Sequence, residues 1–363
     1  MIEGIVPSEI REGPAAIRAT LSSALPDARR VAAAWRATGV GRVFVIGNGT
    51  SYHSCLASAA LYRRHAAADD PAVIPLTAAD FRIYRPALGP GDAIVGISSS
   101  GEFHDVVGVA EEVRGRTPFA AIVHVPGSTL THLASDVILS AGGPSTVPVM
   151  TKTFSATLVA TELLLLELLG SARAAPAERD IAAAADAAEV AIAAAEPLVP
   201  ALANALADAA HLFVVGGGLA YPAALEAALK LKEMALVHAE GTETWEMTSG
   251  AATMLGPDAV VLALAPDGPA RPAMADLLRH AAAWGSRVIE VGPSRLVEGS
   301  ALLPLPVGAV EDQAPLTAVP PVALLAFALA RRRGANPDRP DWIERYHSQG
   351  LTHILGAGKA EAS

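Results

Sequence analysis

Two similar doubly wound α/β domains in tandem are the fold this 363-residue sequence predicts. Three observations carry the prediction. Residues 42–64 (RVFVIGNGTSYHSCLASAALYRR) align without a gap to residues 211–233 (HLFVVGGGLAYPAALEAALKLKE), 169 positions further on. Each copy passes from four apolar β-formers through Gly-x-Gly into a stretch rich in Ala and Leu. Each is then followed by further continuously apolar runs separated by helical stretches, the pattern of parallel βαβ units buried on both faces.

Taken in order, the first domain spans residues 1–170. It begins with an N-terminal helix and reaches its first strand at Arg42–Gly47. A helix follows from Thr50, then apolar strands at Asp92–Ile97 and Phe119–Val125. Thr151 reads as the N-cap of a Leu-rich helix, and Lys152 just inside it is placed either near an anion or at an ordinary helix start. Residues 171–210 are Ala-rich and form a helical connector, marked by the proline and charges of 174–180. The second domain, 211–335, repeats the pattern. Asp258–Ala263 (DAVVLA) corresponds to Asp92–Ile97 (DAIVGI), and Arg287–Val291 to Phe119–Val125. Each half thus reads strand, helix, strand, helix, strand. Residues 336–363 form a C-terminal tail rich in large side chains, expected to dock rather than fray.

Composition narrows the function. The formal charge is −10, from 27 basic and 37 acidic residues, which excludes a basic nucleic-acid or membrane-surface binder. Hydrophobic residues make up 52% of the chain, ample for two buried cores. Only Cys55 carries a thiol, so neither an intrachain disulfide nor a cysteine zinc site is expected. The start, MIEGIVPSEIREGP, lacks the apolar stretch of a signal peptide, and the run Val319–Ala330 is too short to span a bilayer. A soluble cytoplasmic protein is expected. No HxH, HxxxH or HExxH pair occurs among the ten histidines, so no metal is expected. Gly47-x-Gly49 lacks the third glycine of a dinucleotide fingerprint, Tyr52 standing in its place, so no nucleotide cofactor is expected either.

Four motifs could bear chemistry. Gly49-Thr50-Ser51 and Ser98-Ser99-Ser100-Gly101-Glu102 fall at the carboxyl ends of strands read as neighbours, where open α/β sheets bind ligands. Their hydroxyls and free amides suit a phosphate in a chain with little positive charge, although Ser and Thr also serve as plain caps and turns there. On the helix Tyr221–Val237, Glu226, Lys230 and Glu233 are spaced i, i+4, i+7 and share one face. Lys230 could neutralise one carboxylate and leave the other as a base; the plainer alternative is a solvated salt-bridge stripe. The fourth is the Thr151-Lys152 helix start.

These motifs, in this order, resemble the tandem sugar isomerase (SIS) domain family: GNGTSYHS, SSSGEFHD, HVPGSTL, TKTFSATL and ALEAALKLKEMALVHAEG. The similarity is greatest to the isomerase half of glucosamine-6-phosphate synthases and runs from Glu9 to the NPDRP segment at Asn336. It implies two flavodoxin-like parallel-sheet domains, with the glutaminase half of those enzymes outside this chain. It also implies a sugar phosphate as ligand, held by Gly49, Thr50, Ser51, Ser98, Ser99, Ser100, Glu102 and Thr151. Glu233 matches the glutamate that moves a proton between C1 and C2, and Lys230 its neighbouring lysine. The family assembles as dimers, so a homodimer is expected. Two positions depart from the family. Its ring-opening histidine is replaced by Ser249, and its Schiff-base lysine falls near Arg345, which cannot do that chemistry. His347, His353 or Glu246 could supply the missing acid, and His347 completes the expected catalytic set. The resemblance implies an aldose–ketose isomerase or amino-sugar-phosphate deaminase working through an enediol or enolamine. The alternatives are a non-catalytic phosphosugar-binding regulator and a fructosamine-phosphate deglycase.

Overall fold

The computed structural model describes residues 2–341, so His347, Arg345 and His353 lie outside the described residues. The chain folds into two five-stranded parallel sheets flanked by helices, each in its own compact unit. The first unit holds residues 15–144 and 153–182; the second holds 2–14, 145–152 and 183–340. These units do not follow the linear bounds 1–170 and 211–335. The start of the long helix Ile5–Ala37 and the segment before the helix Lys152–Glu167 both count with the second unit. Within that unit the reason is specific. Glu9 accepts hydrogen bonds from the Thr146 amide (3.0 Å) and the Ser145 hydroxyl (2.8 Å), and Lys152 Nζ lies 2.6 Å from Glu12.

The first sheet comprises β1 (Arg42–Gly47), β2 (Ala72–Thr77), β3 (Asp92–Ile97), β4 (Phe119–Val123) and β5 (Asp136–Leu139), in the order β2-β1-β3-β4-β5. The second comprises β6 (His211–Gly216), β7 (His238–Glu243), β8 (Val260–Leu264), β9 (Arg287–Gly292) and β10 (Ala301–Pro304), in the order β10-β9-β8-β6-β7. Reversed, the second order is that of the first. The repeat seen in the sequence is therefore a repeat of topology, the 2-1-3-4-5 order of flavodoxin-like sheets. Each half has five strands rather than three. The additional four, β2, β5, β7 and β10, are the sheet edges.

The interior strands are buried along their length, β3, β4 and β8 at every residue. Their apolar side chains form one core per unit, around Phe44, Ile94, Val106 and Phe119 in the first and Phe213, Val261, Leu278 and Met247 in the second. Strand register corrects one detail of the repeat. Val43 pairs with Ala93, and its equivalent Leu212 pairs with Val260. Asp92 thus corresponds to Ala259, one residue beyond the Asp258 that matching letters suggest. A slip of one residue would turn every side chain of the strand to the other face. The helical run Glu311–Arg332 has the length and hydropathy of a membrane span, yet 89% of its apolar window is buried within the protein, as in a core helix.

Candidate functional site

In the first unit the strand order reverses between β1 and β3, which opens a crevice at their carboxyl ends. Both hydroxyl motifs of this half lie there. The turn after β1 is made by Gly49 at φ +54°, a left-handed conformation that favours glycine. Gly49 stands at the N-cap of the helix Thr50–His65, which no side chain caps, and Thr50 and Ser51 are buried in its first turn. Asn48 donates to Asp105 (3.2 Å), tying this turn to the start of the helix His104–Val113.

After β3, the three serines differ in their roles. The Ser98 hydroxyl is buried and accepts from the amides of Gly101 (3.1 Å) and Phe103 (3.4 Å). A hydroxyl has two lone pairs and one proton, so this arrangement uses both acceptor sites and leaves the O–H to donate to a ligand. Ser99 gives its carbonyl to the amides of His124 (2.9 Å) and Val125 (3.2 Å), bracing the loop on the end of β4. Ser100 is exposed and accepts from the Glu102 amide (3.2 Å). Glu102 itself accepts from the Thr129 amide (2.8 Å), capping the next short helix instead of facing an anion. The Phe103 ring packs against the first core. Ser128 was missed in the sequence. It is 5% exposed, lies against Gly101, and its hydroxyl has no hydrogen-bond partner among the described residues. Its signal was the HVPGSTL segment.

The second unit holds the charged motif on the helix Tyr221–Ala235, whose Ala-rich sequence and early Pro222 suit its length and start. Lys230 Nζ lies 2.7 Å from Glu233 Oε2 and 3.1 Å from Glu226 Oε1, and donates to the Met150 carbonyl at 3.0 Å. All three contacts place oxygen acceptors around the ammonium. The side chains of Lys230 and Glu226 are 1% and 0% exposed, and that of Glu233 is 26% exposed. A solvated stripe is thereby excluded. Burial works against the ammonium, but the two carboxylates outweigh it and hold Lys230 above its ordinary value. Glu226 is committed to neutralising the lysine. Glu233, oriented by the same lysine, is 26% exposed and reaches solvent.

The expected site residues divide between the units. Gly49, Thr50, Ser51, Ser98, Ser99, Ser100 and Glu102 belong to the first; Lys230, Glu233 and Thr151 belong to the second. Thr151 does not cap its helix: its buried hydroxyl has no hydrogen-bond partner among the described residues, and it adjoins the Met150 carbonyl that receives Lys230. The anion Lys152 meets is the chain's own Glu12 carboxylate, at 2.6 Å. Ser249, at the family's histidine position, donates to the Trp245 carbonyl (2.8 Å) and offers no titratable group.

A duplicated 2-1-3-4-5 sheet with a hydroxyl-lined reversal crevice defines a pair of flavodoxin-like doubly wound α/β domains, and residues 38–167 and 205–291 match the model of one family, the SIS domain. The chain belongs to the SIS domain family. It is 31% identical over 337 residues to the glutamine–fructose-6-phosphate aminotransferase [isomerizing] of Pyrococcus horikoshii, covering 92% of this chain and 55% of that one. The enzyme of the same name from Aeropyrum pernix is 32% identical over 344 residues, with coverage of 92% and 55%. The chain spans about half the length of the curated relatives it matches. Among solved structures it is similar to the C-terminal domain of glucosamine-fructose-6-phosphate aminotransferase from Francisella tularensis, with TM-score 0.84 and 21% identity over 93% of this chain and 99% of that one. It also matches the tagatose-6-phosphate ketose/aldose isomerase of Escherichia coli, with TM-score 0.75 and 16% identity over 92% and 94% of the two chains. These two likenesses establish the shared fold.

Proposed function

We propose that this protein converts a sugar phosphate by moving a proton between adjacent carbons, as an aldose–ketose isomerase or an amino-sugar-phosphate deaminase, and that it works as a homodimer. One observation carries the reading: a fully buried lysine, held by three acceptors, aims a partly exposed carboxylate, Glu233. The relatives point to the same chemistry, since their names specify an isomerizing aminotransferase and a ketose/aldose isomerase.

In the isomerase form, Glu233 removes the C1 proton of an open-chain ketose while the O2 carbonyl oxygen gains a proton, giving an enediol. Return of the proton to C2, with loss of the O1 proton, yields the aldose. The Ser98 loop and the Gly49 turn hold the phosphate through neutral donors, so that binding becomes orientation. Ser249 and the Arg345 position favour a substrate that is already open-chain, because neither can open a ring by acid catalysis or form a Schiff base.

The test is proton NMR in D2O with hexose phosphates, hexosamine phosphates and fructosamine phosphates. Deuterium appears at C1 or C2 with one of them, and Glu233→Gln abolishes the exchange while phosphosugar affinity stays within about threefold, under 1 kcal/mol. Saturable binding without any exchange would establish the second reading, a phosphosugar-binding regulator, which the serine at the histidine position favours.

A further inference from the structure

The second sheet has its own reversal crevice, between β6 and β8, and it is built on the same backbone as the first. Gly218 corresponds to Gly49 in the repeat and shares its positive φ, +56° against +54°. Gly268 follows β8 as Gly101 follows β3; Ala265 N donates to Val291 O (2.8 Å) just as Ser98 N donates to Ile122 O (3.1 Å). The chemistry has changed. Ser51 becomes Ala220, and Ser98-Ser99-Ser100 becomes Ala265-Pro266-Asp267.

A carboxylate from elsewhere in the chain occupies this second crevice. Val310 forms a parallel bridge with Asp267, fixed by Asp267 N to Ala309 O (2.8 Å) and Glu311 N to Asp267 O (3.0 Å). This delivers Glu311, 6% exposed, onto both glycine turns. A Cβ on Gly218 would stand 3.3 Å and 3.5 Å from its two carboxylate oxygens, and one on Gly268 would stand 2.5 Å from Oε2. Only glycine at 268 admits the side chain. Arg271 lines the same cavity, of which about 10 Å³ remains, the room of a single water. Thr244, 1% exposed, has a hydroxyl without a hydrogen-bond partner among the described residues, 2.8 Å from where a Cβ on Gly217 would lie.

We propose that the second repeat retains an anion site and that Glu311 is its tethered ligand, closing it to free anions. The helix start and the paired glycine turns suit a negative charge there; Arg271 is engaged by Asp267 (3.6 Å) and Ser294 (2.7 Å). Asp267 beside the site, and the lost serines, select a small monocarboxylate over a phosphate dianion. The proposal goes beyond the reading of Glu233 and the Ser98 loop and stands or falls apart from it.

The test is thermal unfolding of the full chain in acetate against chloride at equal ionic strength. Glu311→Ala lowers Tm by several degrees, and acetate, entering the vacated site, recovers most of the loss, by linkage. The wild type does not respond to acetate. Saturation-transfer NMR detects bound acetate on Glu311→Ala and none on the wild type. Glu311→Gln, nearly isosteric but uncharged, lowers Tm without any acetate response. An unchanged Tm in Glu311→Gln, or an acetate effect no larger than that of chloride in Glu311→Ala, overturns the proposal. Should Glu311→Ala fail to fold in either salt, the Gln variant decides alone. None of these readouts depends on sugar-phosphate turnover.

Discussion

The helices that follow the first strand of each repeat, 16 and 15 residues long, share a place and a sequence pattern, yet at two positions the first is apolar where the second is ionic. Ala57, Leu61 and Arg64 in the first correspond to Glu226, Lys230 and Glu233 in the second. Ala57 and Leu61 are buried like their counterparts, so the backbone tolerates either chemistry at these positions. The crevices differ in the opposite sense. The first keeps serine hydroxyls, one with its proton to spare; the second has shed them and taken in Glu311. The two units have thus kept different polar groups, the first its serines and the second a buried lysine with its glutamates.

The largest effect expected on this contrast comes from removing the lysine. Lys230→Met leaves Glu226 fully buried without its counter-charge and should destabilise the second unit by about 3–5 kcal/mol, the usual result of breaking a buried pair from one side. Urea unfolding followed by hydrogen exchange on β6 and β8 measures it. Making the second helix resemble the first, with Glu226→Ala and Lys230→Leu together, removes both charges and should restore most of that stability. It also frees Glu233 from its clamp, so proton exchange in D2O should stay lost. A double variant as unstable as the single one would mean that packing, and not the orphaned charge, sets the cost.

How much of this was legible in the sequence follows from burial. The interior strands announced themselves, because burial on both faces demands unbroken apolar runs such as VFVI and AIVGI. The four edge strands did not. β7 reads HAEGTE and β2 carries Pro75, a residue confined to edges because it cannot donate to the ladder. The triad's spacing was visible but not its burial: i, i+4, i+7 is the same on a wet face and a dry one, and the deciding neighbour, Met150, lies 80 residues away. Glu311 gave no signal at all. Its place is set by a strand bridge to Asp267 that no local pattern encodes. In the Ser98 loop the sequence identified the serines as a group, whereas their separate duties depend on which amides the turn directs at each hydroxyl.

A smaller effect tests whether the two glycine turns are the same feature. Alanine at a left-handed position costs about 1–2 kcal/mol from the backbone alone. A Cβ at Gly49 meets nothing within 4 Å, so Gly49→Ala should show that cost and no more. At Gly218 the added carbon meets the Glu311 carboxylate at 3.3 Å, so Gly218→Ala should be the worse of the two. In a double-mutant cycle with Glu311→Ala the excess at Gly218 should vanish, while Gly49→Ala combined with Glu311→Ala should be additive. Additivity in both cycles would show that Glu311 does not press on the Gly218 turn.

The smallest effect separates the repeats by acid. Arg42 on β1 forms a two-pronged pair with Asp92 on β3, at 2.7 Å on each oxygen, and Asp92 also accepts from the Gly89 amide at 2.6 Å. The Arg42 hydrogen bonds, aided by that amide and set against burial, hold the Asp92 carboxyl below its usual range. The second repeat has His211 and Ala259 at these positions, and His211 instead stacks edge-on against His238 at 5.4 Å. Because the folded value is depressed, the contribution of Asp92 is complete above the ordinary carboxylate range, about pH 4. It is lost as the pH falls from there through the folded value, since the unfolded chain then binds the extra proton. Arg42 is partly solvated, so the effect is small and salt-dependent. Hydrogen exchange across an acid titration should show β1 and β3 losing protection as the pH falls below about 4, and Asp92→Asn should flatten that response while leaving the acid behaviour of β6 and β8 unchanged. If Asp92→Asn altered both sheets equally, the strand pair would be acting on the stability of the whole chain, and the two repeats would not unfold as separate units.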